Sequence, residues 1–240
     1  MTSYKSMSDK PSVRSPWFWV PSLYFAQGIP YVAVMIVSVL MYKRLGVSNT
    51  DIALYTSWLN LPWVIKPFWS PFVDLLKTKR WWVVTMQLLI GAGLAGVAFT
   101  IPTTFFFQAS LAVFWLLAFS SATHDIAADG FYMLALDSHE QAFFVGIRST
   151  FYRIAIIAGQ GVLVMFAGFL ENSTGNIPLA WSVTFFILGG LFLALFLYHR
   201  YILPLPKGDK PSATVTPSTI LKEFFATFVS FFKKKQAFVA

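Results

Sequence analysis

WWVVTMQLLIGAGLAGVAFTI, Trp81 to Ile101, contains no charged residue. It is about as long as a helix must be to cross the hydrocarbon core of a bilayer. Working outward, five further apolar segments stand at Trp17–Met41, Ile52–Val73, Phe105–Ala135, Phe143–Leu170 and Leu179–Tyr198. None shows the period-two alternation of a membrane barrel, so helices are predicted to satisfy the backbone in lipid. The connections are short, and none is long enough to fold into a domain outside the membrane. The fold class predicted is therefore all-α and integral to the membrane, with six transmembrane helices.

Composition agrees. The 240 residues are 57% hydrophobic and only 12% charged, and the mean hydropathy is +0.64. Soluble domains carry about 25% charged residues, so a soluble globule could not be covered by so few. Phe is used 26 times and Trp and Tyr nine times each, which suits lipid-facing and interfacial positions. Cysteine is absent, which leaves neither a disulfide framework nor a thiolate metal site.

The net charge of +8 is explained by topology and not by nucleic acid, because the cations lie in short loops between apolar runs. With a cytoplasmic N-terminus, the inside carries Lys5, Lys10, Arg14, Lys77, Lys79, Arg80, Arg148 and the basic stretch from Arg200 onward. The outside carries only Lys43 and Arg44. Positive charge concentrates on the cytoplasmic side of membrane proteins, so a multi-pass protein of the inner (plasma) membrane is predicted. Residues 1–16 read as a cytoplasmic tail and 17–199 as a six-helix half-domain. Residues 200–240 read as a cytoplasmic linker with an amphipathic, Phe-rich helix suited to a membrane surface. Major-facilitator transporters join two six-helix halves by such a linker. The expectation is the N-terminal half of a twelve-helix major facilitator fold, with the second half absent from this sequence.

Ionisable and polar groups inside apolar segments are costly and usually face a cavity or a partner. In the first segment Tyr24, Gln27 and Tyr31 fall at i, i+3 and i+7, one face of a helix. They read either as a cavity wall that hydrogen-bonds substrate or as interhelical glue. The second segment carries PWVIKPFWSPFVD, Pro62 to Asp74. Its Lys66 reads either as a cavity residue or as a side chain snorkelling to the interface. Asp74 is followed by Lys77, Lys79 and Arg80, a carboxylate beside cations at a tight turn, which suits a gating ion pair. That turn resembles the major-facilitator loop motif G-x-x-x-D-R-x-G-R-R, with Ser70 at the glycine position and Leu75 at the first arginine.

The fourth segment contains SSATHDIAADGFYMLAL. Asp125 and Asp129 are one turn apart, about 40° around the helix, and share a face. Two carboxylates so placed repel in a low dielectric unless a proton or a cation relieves them. They read as a proton-coupling pair or as one half of a static ion pair. His124 lies beside them, about 100° around the helix. The fifth segment supplies cations in FFVGIRSTFYRIAIIAGQG: Arg148 is expected near the cytoplasmic interface, and Arg153 deeper, at the level of Asp129. An Asp129–Arg153 pair is therefore expected, with binding of an anionic solute as the other role for Arg153. The three histidines, His124, His139 and His199, are too scattered in sequence for a metal site. No cofactor motif is present, and an enzyme is not expected.

YFAQGIPY, PWVIKPFWSPFVD, HDIAADGFYMLAL and GIRSTFYRIAIIAGQG together resemble the AmpG-type permeases, to which the acetyl-coenzyme A transporters are distantly related. The resemblance covers the first five segments. It implies proton-driven uptake of muropeptides or similar anionic metabolites by alternating access, with Gln27, Lys66, Asp74, Asp125, Asp129 and Arg153 as the residues concerned. His124 stands where many relatives have Gln. The partners implied are the bilayer, a small-molecule solute, protons and the second six-helix half, with no nucleic acid. Two other readings are a non-transporting membrane scaffold or inactive fragment, and a membrane-embedded acyltransferase using His124 beside Asp125.

Overall fold

The structure, a computed structural model, describes residues 15–210. Most of the predicted tail, the end of the predicted linker and the amphipathic stretch at 220–240 lie outside the described residues. Among the described residues every regular element is helical. Five helices are long and apolar enough to cross a membrane: α1 (Pro16–Arg44), α3 (Lys79–Thr100), α4 (Phe106–Ala135), α5 (Ser138–Thr174) and α6 (Ile177–Ile202).

The segment expected as a single span at Ile52–Val73 is different. It is a broken helix, α2, made of Asn49–Thr56, Leu61–Ile65 and Ser70–Leu76. Tight 3₁₀ turns at Ser57–Asn60 and Lys66–Phe68 join the pieces. Prolines explain the breaks. Pro62, Pro67 and Pro71 each fall in the first two residues of a new turn, where a missing N–H costs nothing. Inside a continuous helix each would remove a hydrogen bond and clash with the preceding turn. Apolar length alone could not show this.

α3 packs along both α4 and α6, while α1 lies along α5 and also against α4. Small residues set the close approach of α1 and α5. A Cβ on Gly28 would come within 2.7 Å of the Ala155 Cβ, and one on Gly159 within 2.2 Å of Val32. Both α1 and α5 carry a π-helical turn there, at Ala33–Val37 and Gly159–Leu163. In α1 the turn follows Pro30, which disturbs the local hydrogen-bond ladder.

Two apolar cores form, and a polar layer separates them. The larger holds Ile29 to Tyr42, Ile90 to Ile101, Phe114 to Ala118 and Trp181 to Phe192. The smaller holds Trp19 to Tyr24, Val83, Ala127 to Leu136 and Leu203. Gln87, Ser121, His124, Asp125 and His199, all buried, lie between these stretches on their helices. At the far end of the larger core, Arg44 pairs with Glu171 at 2.5 Å, and the Trp181 indole donates to the same carboxylate at 2.7 Å. That triad ties α1, α5 and α6 together.

Candidate functional site

α4 ends at Ala135, and α5 begins at Ser138 under a capping box. The Glu140 N–H donates to Asp137 Oδ1 at 2.9 Å, and the Asp137 N–H donates to Glu140 Oε2 at 3.1 Å. This tight reversal fixes the relative depth of the acidic residues on α4 and the basic residues on α5. Asp129 accepts from the Tyr24 hydroxyl at 3.0 Å and from Arg148 Nη1 at 3.3 Å. Arg148 also donates to the Tyr24 oxygen at 3.0 Å, and its guanidinium lies over the Tyr24 and Tyr132 rings at 5.2 and 5.0 Å. The expected partner, Arg153, is not the one that pairs. Counting from the turn, Arg153 stands about 7.5 Å farther along α5 than Arg148, at about 1.5 Å per residue. The shallower arginine reaches Asp129, and its aromatic neighbours hold it there.

Asp129 lies in the wall of two cavities. One, of about 410 Å³, is lined by Tyr24, Gln27, Asp129, Arg148, Tyr152 and Arg153, with Ser149. The other, of about 500 Å³, lies against the broken helix and includes Lys66, Ser70, Asp74, Ile126 and Asp129. Lys66 is half-buried there, in the 3₁₀ turn between two pieces of α2. Tyr31, the third member of the predicted polar face, turns its ring edge-on to Trp63 at 5.2 Å.

Asp125 sits one turn deeper than Asp129 and is buried. The Trp63 indole donates to its Oδ2 at 3.2 Å, and Gln27 and Lys66 also act on it. Its Oδ1 and the Oε1 of Gln27 are buried acceptors with no donor among the described residues.

Asp74 pairs with Lys79 among the cations of its turn. Lys79 runs its alkyl stem across Gly130 of α4, where a Cβ would meet the lysine Cε at 2.9 Å. Arg80 instead donates to the Leu203 carbonyl at 3.2 Å and to the Arg200 carbonyl, and the Lys77 ammonium lies 5.9 Å from the Trp81 ring centroid. Asp209, beyond the end of α6, accepts from the N–H groups of Lys79 and Arg80 at 2.6 and 3.0 Å. It thus caps the start of α3 from a distant part of the chain, as a carboxylate at a helix N-terminus should.

His124 faces away from these cavities. Its Nε2 meets the Gln87 amide at 3.1 Å, the other end of that amide meets His199 Nδ1 at 3.0 Å, and His199 Nε2 meets Ser22 Oγ at 3.0 Å. The string joins α4, α3, α6 and α1. Spacing along the chain gave no sign of it, since its four members come from four separate segments. Gln87, the one amide in a span otherwise apolar but for two threonines, is the available signal. Among the described residues no group of His, Asp and Glu is placed to hold a metal ion.

The BT1 family model matches residues 25–235. The AmpG 4 protein of Rickettsia conorii is 29% identical over 181 residues, 69% of this chain and 40% of that protein. The anhydromuropeptide permease of Escherichia coli K12 is 24% identical over 223 residues, 90% of this chain and 42% of the permease. The AmpG 4 protein of Rickettsia felis is 27% identical over 228 residues, 88% of this chain and 50% of that protein. The chain therefore spans two-fifths to one-half the length of these relatives. The matched region takes in α2 to α6, about two-thirds of α1 and every residue of the two cavities except Tyr24: this is a multi-pass membrane protein of the BT1 family, similar to the AmpG-type permeases.

Proposed function

We propose that the chain forms one six-helix half of a proton-coupled secondary transporter of the major facilitator type. The broken helix α2 is its sixth span. The cargo is a small anionic solute, of which a muropeptide is the first to test because one relative is named as an anhydromuropeptide permease. In this reading the protein sits in the inner (plasma) membrane with its N-terminus in the cytoplasm, as the placement of Lys and Arg favours.

The observation that carries the proposal is the split between two carboxylates on one face of α4. Asp129 borders both cavities and is held by Arg148 and Tyr24. Asp125 is buried, with one oxygen lacking a donor, and Gln27, which acts on the same carboxylate, has an amide oxygen that lacks one too. A proton on Asp125 would supply a missing donor there. Its loss would leave a buried carboxylate to draw in the Lys66 ammonium. Proton uptake would thereby shift the packing of the broken helix against α4, the kind of two-state element that alternating access requires. Asp129 and Arg148 form a pair that an anionic solute can open by competing for the guanidinium, and Arg153 offers a second cation to the same cavity.

Uptake of labelled anhydromuropeptide into vesicles under an imposed proton gradient tests this, using the chain alone and the chain followed by six further helices. The longer form should take up the label, and its Asp125→Asn variant should fall to the level of empty vesicles in both the presence and absence of the gradient. Uptake by Asp125→Asn that still follows the gradient would remove the proton role. No uptake by either form would leave the fold standing and remove muropeptide as cargo.

A further inference from the structure

We propose that the cleft between the start of α3 and the end of α6 is a binding site for an anionic phospholipid, with the phosphate at the helix ends and the acyl chains against α3. This inference rests on the membrane fold and not on the transport reading. The cleft encloses about 620 Å³. Its mouth holds two guanidiniums, Arg80 and Arg200. Arg80 is fixed at the rim by the carbonyls of Arg200 and Leu203. The Arg200 side chain is exposed and has no ion-pair or hydrogen-bond partner among the described residues. Asp209 also lines the mouth, but its two oxygens already accept from the first N–H groups of α3. Lys77 adds a third cation beside Trp81. The balance at the mouth is positive, and an arginine fork suits a phosphate oxygen pair.

The rest of the cleft separates a lipid from a soluble anion. Trp81, Val84, Thr85 and Leu88 follow one stripe of α3 away from the charges, facing Phe196 and Leu205. That stripe runs about 10 Å along the helix at 1.5 Å per residue, from headgroup level into the hydrocarbon. Trp81 and Tyr201 stand at its head, 43% and 70% exposed, as interfacial aromatics do. A free phosphate would use the arginines and leave the apolar stripe uncovered. A phospholipid uses both. Basic pockets between helix ends at a membrane face are the setting in which anionic headgroups are recognised.

The test is native mass spectrometry of the full chain in detergent, offered equal amounts of phosphatidylglycerol and phosphatidylcholine. One phosphatidylglycerol should stay bound as detergent is removed, while phosphatidylcholine is lost. Arg200→Gln should lower phosphatidylglycerol occupancy about fivefold, the effect of one basic residue at a charged membrane surface. Thr85→Trp, which fills the cleft without altering a charge, should lower it at least as much. Lys43→Gln, an equal loss of charge at the opposite end of the bundle, should leave it unchanged. Equal retention of the two lipids, or equal losses in Arg200→Gln and Lys43→Gln, would overturn the site. Displacement of the lipid by millimolar inorganic phosphate would overturn the lipid and leave a soluble-anion site.

Discussion

One helix, α4, presents two unlike surroundings within a single turn. On one side His124 joins Gln87, His199 and Ser22 in a string packed against the unbroken α3 and α6, with its Nδ1 left without a partner among the described residues. On the other, Asp125 and Asp129 face the broken helix and the two cavities, with a buried oxygen unpartnered and a half-exposed ion pair. The difference lies in the neighbours. α3 and α6 have no interior proline and meet α4 or each other through close small-residue contacts such as Gly91 against Gly189. α2 restarts three times and cannot press a continuous surface against α4. Polar groups on the first side hold the bundle in register. Polar groups on the second side are left available for change.

The sharpest way to break this contrast is Gln87→Leu. It strands one nitrogen on each of two buried imidazoles at once. A soluble core would lose about 1–3 kcal/mol for each unsatisfied group. Hydrogen bonds between membrane helices measure nearer 0.6 kcal/mol, because the separated helices find other partners. A total loss of about 1–3 kcal/mol is therefore expected, read as a lower midpoint in denaturing detergent. The triple variant Gln87→Leu, His124→Leu, His199→Phe should recover most of it, since it removes the amide and both imidazoles together and leaves only Ser22, whose hydroxyl also donates to the Trp19 carbonyl at 3.3 Å. A stable single variant would mean that the string carries no load, and the two sides of α4 would then differ only in shape.

How much of this the sequence shows depends on the side of α4 concerned. The spans of α1, α3, α4, α5 and α6 follow from apolar length, because the bilayer sets one requirement for all of them. The acidic pair is legible as a polar site because two carboxylates in an apolar run need a proton or a cation beside them, although the pattern alone leaves a coupling pair and a static ion pair both open. The same logic marks Tyr24 and Gln27 as either cavity wall or interhelical glue, and in the structure both line the smaller cavity while Tyr24 also donates to Asp129. The breaks in α2 were written in Pro62, Pro67 and Pro71, yet hydropathy averages over them, and a helix start signalled by proline reads like a kink. The string leaves only one trace in the sequence, Gln87 within an apolar span. Ser22, Gln87, His124 and His199 are tens of residues apart, and only the packing of four helices brings them together. Asp129 meets Arg148 and not the expected Arg153 for a simpler reason: the turn at Leu136–Asp137 sets the depth along both helices and brings the shallower arginine opposite the carboxylate.

The two arginines of α5 sharpen the comparison further. Arg148→Gln removes a charge pair whose carboxylate side chain is 46% exposed. Such pairs are screened by water and contribute at most about 1 kcal/mol, so a loss of that size or less is expected. In a double-mutant cycle with Asp129→Asn, the two losses should fall short of adding by about 0.5 kcal/mol or more, the coupling of residues in contact. Full additivity would show that the pair is geometric only, and that Arg148 is held by the Tyr24 and Tyr132 rings instead.

Arg153→Gln should have the smallest effect on stability and therefore discriminates best. Arg153 is exposed at the cavity and makes no ion pair among the described residues. A change within about 0.5 kcal/mol is expected, as for surface substitutions away from packed features. Its cycle with Asp129→Asn should be additive, in contrast to the Arg148 cycle. If the cavity between α1 and α5 takes an anionic solute, the same substitution should still weaken uptake, because a cation with no structural partner is free to serve a ligand. A stability loss as large as that of Arg148→Gln, coupled to Asp129, would restore Arg153 as the partner and bring the acidic face of α4 closer to the closed character of its histidine side.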